Sequence, residues 1–334
     1  MSAGTMRAIV IARPGGPEVL ELREVPRPGP ARGEVLVRVA ATALNRADIL
    51  QREGRYPAPP GVPADIPGLE FAGEVAAAGA GASRWRVGDR VFGLTGGGAY
   101  AEYLAAHEDT LARVPERLGL AAAAAVPEAF ITAHDALLQA EMRAGETVLI
   151  HAVGSGVGLA AVQLVRAMGG VPFGTARHAA KLEAARAAGL EGGAELPDGP
   201  GALGAAVERW SGGRGVDVVL DLLGGAYTAA SLEALAPRGR LILIGTLAGA
   251  RAEIPLGTVL RRRLTVRGTV LRSRTLAEKI EVTRAFERDV VPLFERGTVK
   301  PVIDAEFPLA EAARAQERMA SNAGAGKIVL RVRD

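Results

Sequence analysis

The chain has no cysteine in its 334 residues. That excludes a disulfide scaffold and any thiolate-held metal. Long apolar runs are absent too. The longest, such as 157–165, fall well short of the roughly 20 residues that cross a bilayer. The opening segment MSAGTMRAIVIARPGG has one Arg before a five-residue apolar run, too short for a signal-peptide core, so a cytoplasmic protein without membrane contact is expected. Lysine is scarce: Lys181, Lys279, Lys300 and Lys327 are the four among 40 basic residues. With 37 acidic residues interspersed among them the net charge is only +3, so the basic pI does not by itself mark a nucleic-acid binder. What is present is ordinary for a folded protein: 49% hydrophobic and 23% charged residues exclude disorder as the dominant state. The length suggests two domains.

The first part reads as β-rich, with strand patterns at 6–11, 19–25, 34–40, 70–76, 89–94 and 99–104. Between them, 53–67 (EGRYPAPPGVPADIP) holds five prolines and must be a long ordered loop. After residue 118 comes a helical stretch broken at Pro127. A strict alternation follows: strand 148–153, helix 158–169, strand 171–176, helix 179–189, strand 216–224, helix 226–235, strand 240–245. That pattern predicts βαβ units and a parallel sheet. The end reads as one long helix over 275–297, a second over 308–320, and a strand at 326–332 that needs a sheet to join. The expected architecture is α/β: a discontinuous β-rich domain, 1–127 with 268–334, and a doubly wound Rossmann-type parallel-sheet domain inserted at 128–267.

The sharpest local signal is HAVGSGVGLAAVQL (151–164), between a buried strand and an apolar helix. Gly156, Gly158 and Ala161 satisfy the dinucleotide fingerprint G-x-G-x-x-A literally; a register three residues upstream puts Val153, Ser155 and Gly158 at the same positions. In either register Gly154, Ser155, Gly156, Val157 and Gly158 form a small-residue loop at a helix N-terminus, suited to a pyrophosphate. An NAD-binding fold usually carries an acid about 20 residues past the glycines. The window 171–181 (VPFGTARHAAK) has none; Thr175, Arg177, His178 and Lys181 stand there instead. A missing carboxylate and a basic cluster suit a 2′-phosphate, so NADPH is the expected cofactor.

The segments ALNRADILQREGRYP (43–57), GLEFAGEV (68–75), RVGDRVFGL (86–94), the AxxxGVG loop (152–158), LRSR (271–274) and GKIVL (326–330) together resemble the medium-chain dehydrogenase/reductase superfamily. Within it the chain is similar to the zinc-free quinone oxidoreductases, in the stress-inducible branch related to zeta-crystallin, because NRAD, SGVG and LRSR occur together. The resemblance implies a GroES-like catalytic domain, a Rossmann domain, NADPH and a homodimer or tetramer. It also implies roles for residues. Asn45, Arg52 and Tyr56 line the place where nicotinamide meets acceptor. Thr132 approaches the nicotinamide, Gly245 and Thr246 border the cofactor, Leu271, Arg272 and Ser273 reach over it, and Lys327 lies nearby. Zinc-bearing members carry GHExxGxV; here Leu69 replaces the His and Asn45 stands at the catalytic Cys position, so no metal is expected.

Without a Lewis acid to acidify an alcohol, the expected reaction is hydride transfer from NADPH to a quinone or related conjugated carbonyl. Tyr56 and Asn45 are the expected hydrogen-bond donors to the developing oxyanion. The alternatives are an enoyl-thioester or 2-alkenal reductase of the same superfamily, and an NADPH-dependent binding protein of crystallin or RNA-binding type. The one candidate nucleic-acid patch, RRRLTVRGTVLRSR (261–274), lacks interleaved aromatics for base stacking. Nucleic acid is therefore not an expected partner.

Overall fold

The computed structural model describes residues 4–333. The chain divides into two compact units, one running to Ile131 and resuming at Leu271, the other Thr132–Val270.

In the first unit a seven-stranded sheet is built on Glu34–Ala43, which pairs antiparallel with Glu70–Ala78, Tyr103–His107 and the last strand, Lys327–Arg331. Its register with Lys327–Arg331 sets Val329 against Ala43. Val35, Val37, Val39, Phe71, Val75, Val91, Tyr100 and Leu330 form the core. Thr5–Ile11 and Leu20–Pro26 make a separate antiparallel ribbon. The Pro-rich segment after Arg52 is irregular as far as the strand that begins at Glu70, as its five prolines demand.

The second unit is a six-stranded sheet with every pair parallel. Its order is Gly192–Glu195, Val171–Ala176, Thr147–Ile150, Val216–Asp221, Leu235–Leu243, Thr265–Gly268. Numbered along the chain this is 3-2-1-4-5-6, the Rossmann order, and ligands in such sheets bind outside the carboxyl ends of the strands where the order reverses.

Several elements differ from the sequence reading. The stretch over 275–297 is two helices, Leu276–Asp289 and Val291–Glu295, because Pro292 has no N–H to continue the ladder. The helical stretch around Pro127 is a short helix Leu120–Ala124, a π-helical turn Pro127–Ile131 and a helix Thr132–Gln139. Strands at Leu111–Arg113, Gly192–Glu195 and Ile303–Pro308 lie outside the patterns read from sequence.

Candidate active site and cofactor cradle

The site in the first unit is organised by the helix Arg46–Arg52. Asn45 precedes it in an extended conformation, and its N–H donates to Asp48 Oδ2 at 2.8 Å. Asp48 also accepts from Gly68 N at 3.2 Å and from the Tyr100 hydroxyl at 3.1 Å. Burial pushes this carboxyl up to about 6, against the opposing pull of those donors and of Lys327. Asp48 therefore caps a helix and ties it to the next loop.

Beside it lies a buried ion pair. Lys327 Nζ donates to the Leu44 carbonyl at 2.7 Å and to Asn45 Oδ1 at 2.6 Å, and lies 2.6 Å from Glu70 Oε1. Glu70 is fully buried and accepts from Asn45 Nδ2 at 2.8 Å and from Glu128 N at 2.8 Å. An ammonium has three protons, and here each has an acceptor. The polar side-chain atoms of Asn45 and Lys327 are thus paired with one another, with Glu70 and with the Leu44 carbonyl. The Arg52 guanidinium is buried and donates to the Gly15 carbonyl at 3.0 Å and to Gln316 Oε1 at 2.8 Å, because a buried guanidinium must find acceptors.

Tyr56 is half-buried, with the Arg272 guanidinium 4.7 Å from its ring centroid. Burial pushes the Tyr56 hydroxyl up, and the charge of Arg272 opposes this. Arg272 is itself buried and donates to Gly96 O at 2.8 Å, Tyr56 O at 3.2 Å and Gln51 Oε1 at 2.6 Å. Leu271 and Ser273 flank it, half-buried and exposed. The sequence reading missed Glu128, a half-buried carboxylate on the π-helical turn. Its only sequence signal was an acid directly after a helix-breaking proline.

In the second unit, Ala152 takes a left-handed conformation at φ 47° between the first strand and the glycine loop. For a non-glycine residue this costs about 1–2 kcal/mol. It is pinned by His151 N donating to Leu220 O and Val153 N to Thr175 O. Ser155 then caps the helix Gly156–Ala167, its hydroxyl accepting from Gly158 N at 3.0 Å. A Cβ on residue 158 would lie 2.6 Å from the Val153 carbonyl oxygen. Gly158 is therefore the glycine that lets helix approach strand, which is the third fingerprint position. The structure resolves the register: Val153, Ser155 and Gly158 hold the three positions, not Gly156, Gly158 and Ala161.

Lys181 packs its stem on Gly154, where a Cβ would lie 2.6 Å from the lysine Cβ. Arg177 and His178 are exposed at the end of the second strand. Thr175 is buried, its hydroxyl 2.8 Å from His151 Nδ1, while His151 Nε2 lies 2.7 Å from the Ser231 hydroxyl. Burial pushes His151 down to about 4, so it is neutral at physiological pH. Gly245 and Thr246 follow the strand Leu235–Leu243, and a Cβ at 245 would lie 2.8 Å from the Leu222 carbonyl oxygen. Thr132 Oγ1 is buried without a hydrogen-bond partner. Small residues, an open helix N-terminus, a lysine stem on the loop and an orphaned hydroxyl all fit a nicotinamide dinucleotide.

Among the described residues no three His, Cys, Asp or Glu side chains are grouped to hold a metal ion. The donor set does not fit a metal: Leu69 offers no ligand atom, and the Lys327 ammonium supplies the positive charge beside Glu70. In the arginine-rich segment, Arg262 donates to the Glu233 and Leu235 carbonyls and Arg267 to that of Gln139. No described helix is long and apolar enough to cross a membrane.

Residues 31–116 match the alcohol dehydrogenase GroES-like domain family, and residues 197–330 the family described as zinc-binding dehydrogenase. A quinone oxidoreductase of Pseudomonas aeruginosa is 37% identical over 97% of this chain and 99% of its own length. The human quinone oxidoreductase is 33% identical over 97% of each. Among solved structures, a mycobacterial quinone oxidoreductase superposes with a TM-score of 0.85 at 29% identity, covering 98% of this chain and 99% of that one. A mycobacterial protein complexed with NADPH also scores 0.85, at 28% identity, covering 98% of this chain and 100% of that one. The chain, a GroES-like sheet domain with a Rossmann-type domain, is an oxidoreductase of the medium-chain dehydrogenase/reductase superfamily and belongs to its quinone oxidoreductase family.

Proposed function

We propose that the protein is an NADPH-dependent, zinc-independent reductase of quinones or related conjugated carbonyls. The observation that carries this is Lys327. Its ammonium occupies the acceptor-rich position beside Glu70, Asn45 and Leu44. A cation held this way neutralises Glu70 but has no open coordination position for a substrate alcohol. An acceptor that is already electrophilic remains. The basic residues Arg177 and Lys181, with no acid between 171 and 181, support a 2′-phosphate. Bound NADPH would supply the hydride, held by the loop 154–158, by Lys181 and Arg177, and by Thr132. The chain's own contribution is to position Tyr56 under Arg272, where its hydroxyl polarises the acceptor oxygen.

A homodimer fits the edge strand Thr265–Gly268, exposed throughout and paired on one side only. The neighbouring helix Leu256–Arg262 buries none of its residues, and Leu260 is 79% exposed. An open apolar edge of this kind is a template for a second chain.

Two results test the assignment. Prolonged treatment with a strong chelator leaves turnover and melting temperature unchanged; stoichiometric zinc lost together with activity would overturn it. Tyr56→Phe lowers kcat for a quinone by less than about tenfold, well short of the ~10²–10⁴-fold that a general acid contributes. The reason is that a hydroquinone anion is delocalised and takes its proton from solvent. A loss within the general-acid range removes the quinone assignment.

A further inference from the structure

His151 is a buried imidazole that the hydride step leaves unused. It comes directly before the left-handed Ala152, and no part of it reaches solvent. Both ring nitrogens are engaged: Nδ1 lies 2.8 Å from the Thr175 hydroxyl and Nε2 2.7 Å from that of Ser231. A neutral imidazole needs both partners, because one nitrogen donates and the other accepts. The partners come from two other elements. Thr175 is on the second strand, two residues before Arg177, and Ser231 is on the helix Ala226–Ala234 that follows the fourth strand. The same helix supplies Tyr227, whose ring meets the imidazole edge to face, 5.2 Å between centroids and 71° between planes. Thr175 is thus held twice: the loop residue Val153 donates its N–H to the carbonyl, and His151 engages the hydroxyl. One side chain ties together the entry to the glycine loop, the end of the second strand and the helix after the fourth, all within the second unit.

Resting on the NADPH reading above, we propose that His151 is a positioning residue for cofactor choice: by holding Thr175 it sets where Arg177 stands relative to the glycine loop, and so how well a 2′-phosphate is met. The pyrophosphate cradle has its own support. The Ser155 hydroxyl caps Gly158 N, and Gly158 approaches the Val153 carbonyl without help from the imidazole. NADH and NADPH share that cradle, whereas only NADPH calls on the cation just past Thr175. Loss of the bond between His151 and Thr175 is therefore felt by NADPH more than by NADH. The bond to Ser231 fastens the helix instead, and its loss shows in stability, because a buried polar group left unpaired is costly.

The test uses two variants that each keep half of the network. In His151→Asn the amide takes the place of Nδ1 and keeps a partner for Thr175. In His151→Gln it reaches the place of Nε2 and keeps one for Ser231. Fluorescence titration of the cofactor-free proteins with NADPH and with NADH gives the ratio of the two Kd values, and thermal melting without cofactor gives stability. His151→Gln is expected to lower the preference for NADPH by about tenfold, the lower end of the range for a bond to a charged group, with NADH binding nearly unchanged. His151→Asn keeps most of the preference although it also melts lower, which separates positioning from general loosening. Thr175→Val deletes the hydroxyl from the other side and should match His151→Gln; it decides the matter if His151→Gln does not fold. Adding Arg177→Ala to either of these should lower the preference by less than it does in the wild type, because both changes act on one contact. Equal weakening of the two cofactors, or His151→Asn and His151→Gln alike in their ratio, overturns the proposal and leaves the NADPH reading in place. A wild type that binds both cofactors alike overturns that reading, and this proposal with it.

Discussion

Lys327→Met should destabilise the first unit by about 3–5 kcal/mol, the range seen when one partner of a buried ion pair is removed. The substitution keeps the length of the side chain and deletes the ammonium. Glu70, with no exposed surface, is left with two neutral donors, Asn45 Nδ2 and Glu128 N, for a full negative charge. Asn45 Oδ1 and the Leu44 carbonyl lose their donor as well. Pairing the change with Glu70→Gln recovers most of the stability, since a neutral amide in place of the charge removes the desolvation penalty. Urea unfolding of the wild type, the single and the double variant measures all three. A single-variant loss below about 1 kcal/mol, as is usual for surface pairs, or a double variant no better than the single, would show that the pair is not what holds this site together.

Under the proposed NADPH assignment, Arg177→Ala and Lys181→Ala should each weaken NADPH binding roughly 10- to 100-fold while leaving NADH nearly untouched. A hydrogen bond to a charged group contributes ~1.5–3 kcal/mol, and each 1.4 kcal/mol is tenfold in Kd. The two side chains differ in surroundings. Arg177 is exposed at the end of the second strand, and its charge lowers the neighbouring Tyr227 hydroxyl against the upward push of burial. Lys181 lies with its stem on Gly154, so its substitution also alters the floor of the glycine loop. The expected order is therefore a cleaner selectivity change for Arg177. Fluorescence titration with both cofactors decides it: if NADPH and NADH weaken equally, the residues are structural and the 2′-phosphate assignment fails.

Local pattern made much of this legible. The alternation of apolar strands and helices from 148 to 245 announces a parallel sheet, because βαβ units need a crossover helix between parallel neighbours. The proline-rich loop can also be read from residue types, because five prolines exclude a helix or a central strand. The short strands Gly192–Glu195 and Ile303–Pro308 cannot. The first is glycine- and alanine-rich, and each is held by its parallel neighbour, Val171–Ala176 or Lys327–Arg331, rather than by its own propensity. The fingerprint register was open in sequence because three glycines stand within five residues. Only the approach of a Cβ at 158 to the Val153 carbonyl selects one of them.

The same division runs through the site. The family resemblance in the sequence names Asn45, Arg52, Tyr56 and Lys327 as site residues. It does not say which of them are free to act. Lys327 and Asn45 stand 282 residues apart, and Arg52 and Gln316 stand 264 apart. Whether a side chain's donors are spent on the protein or open to a ligand depends on acceptors brought by distant strands, and burial forces every such donor to find one. Folding thus supplies Asn45, Arg52 and Lys327 with partners inside the protein. Tyr56 is left half-buried, stacked under the Arg272 guanidinium.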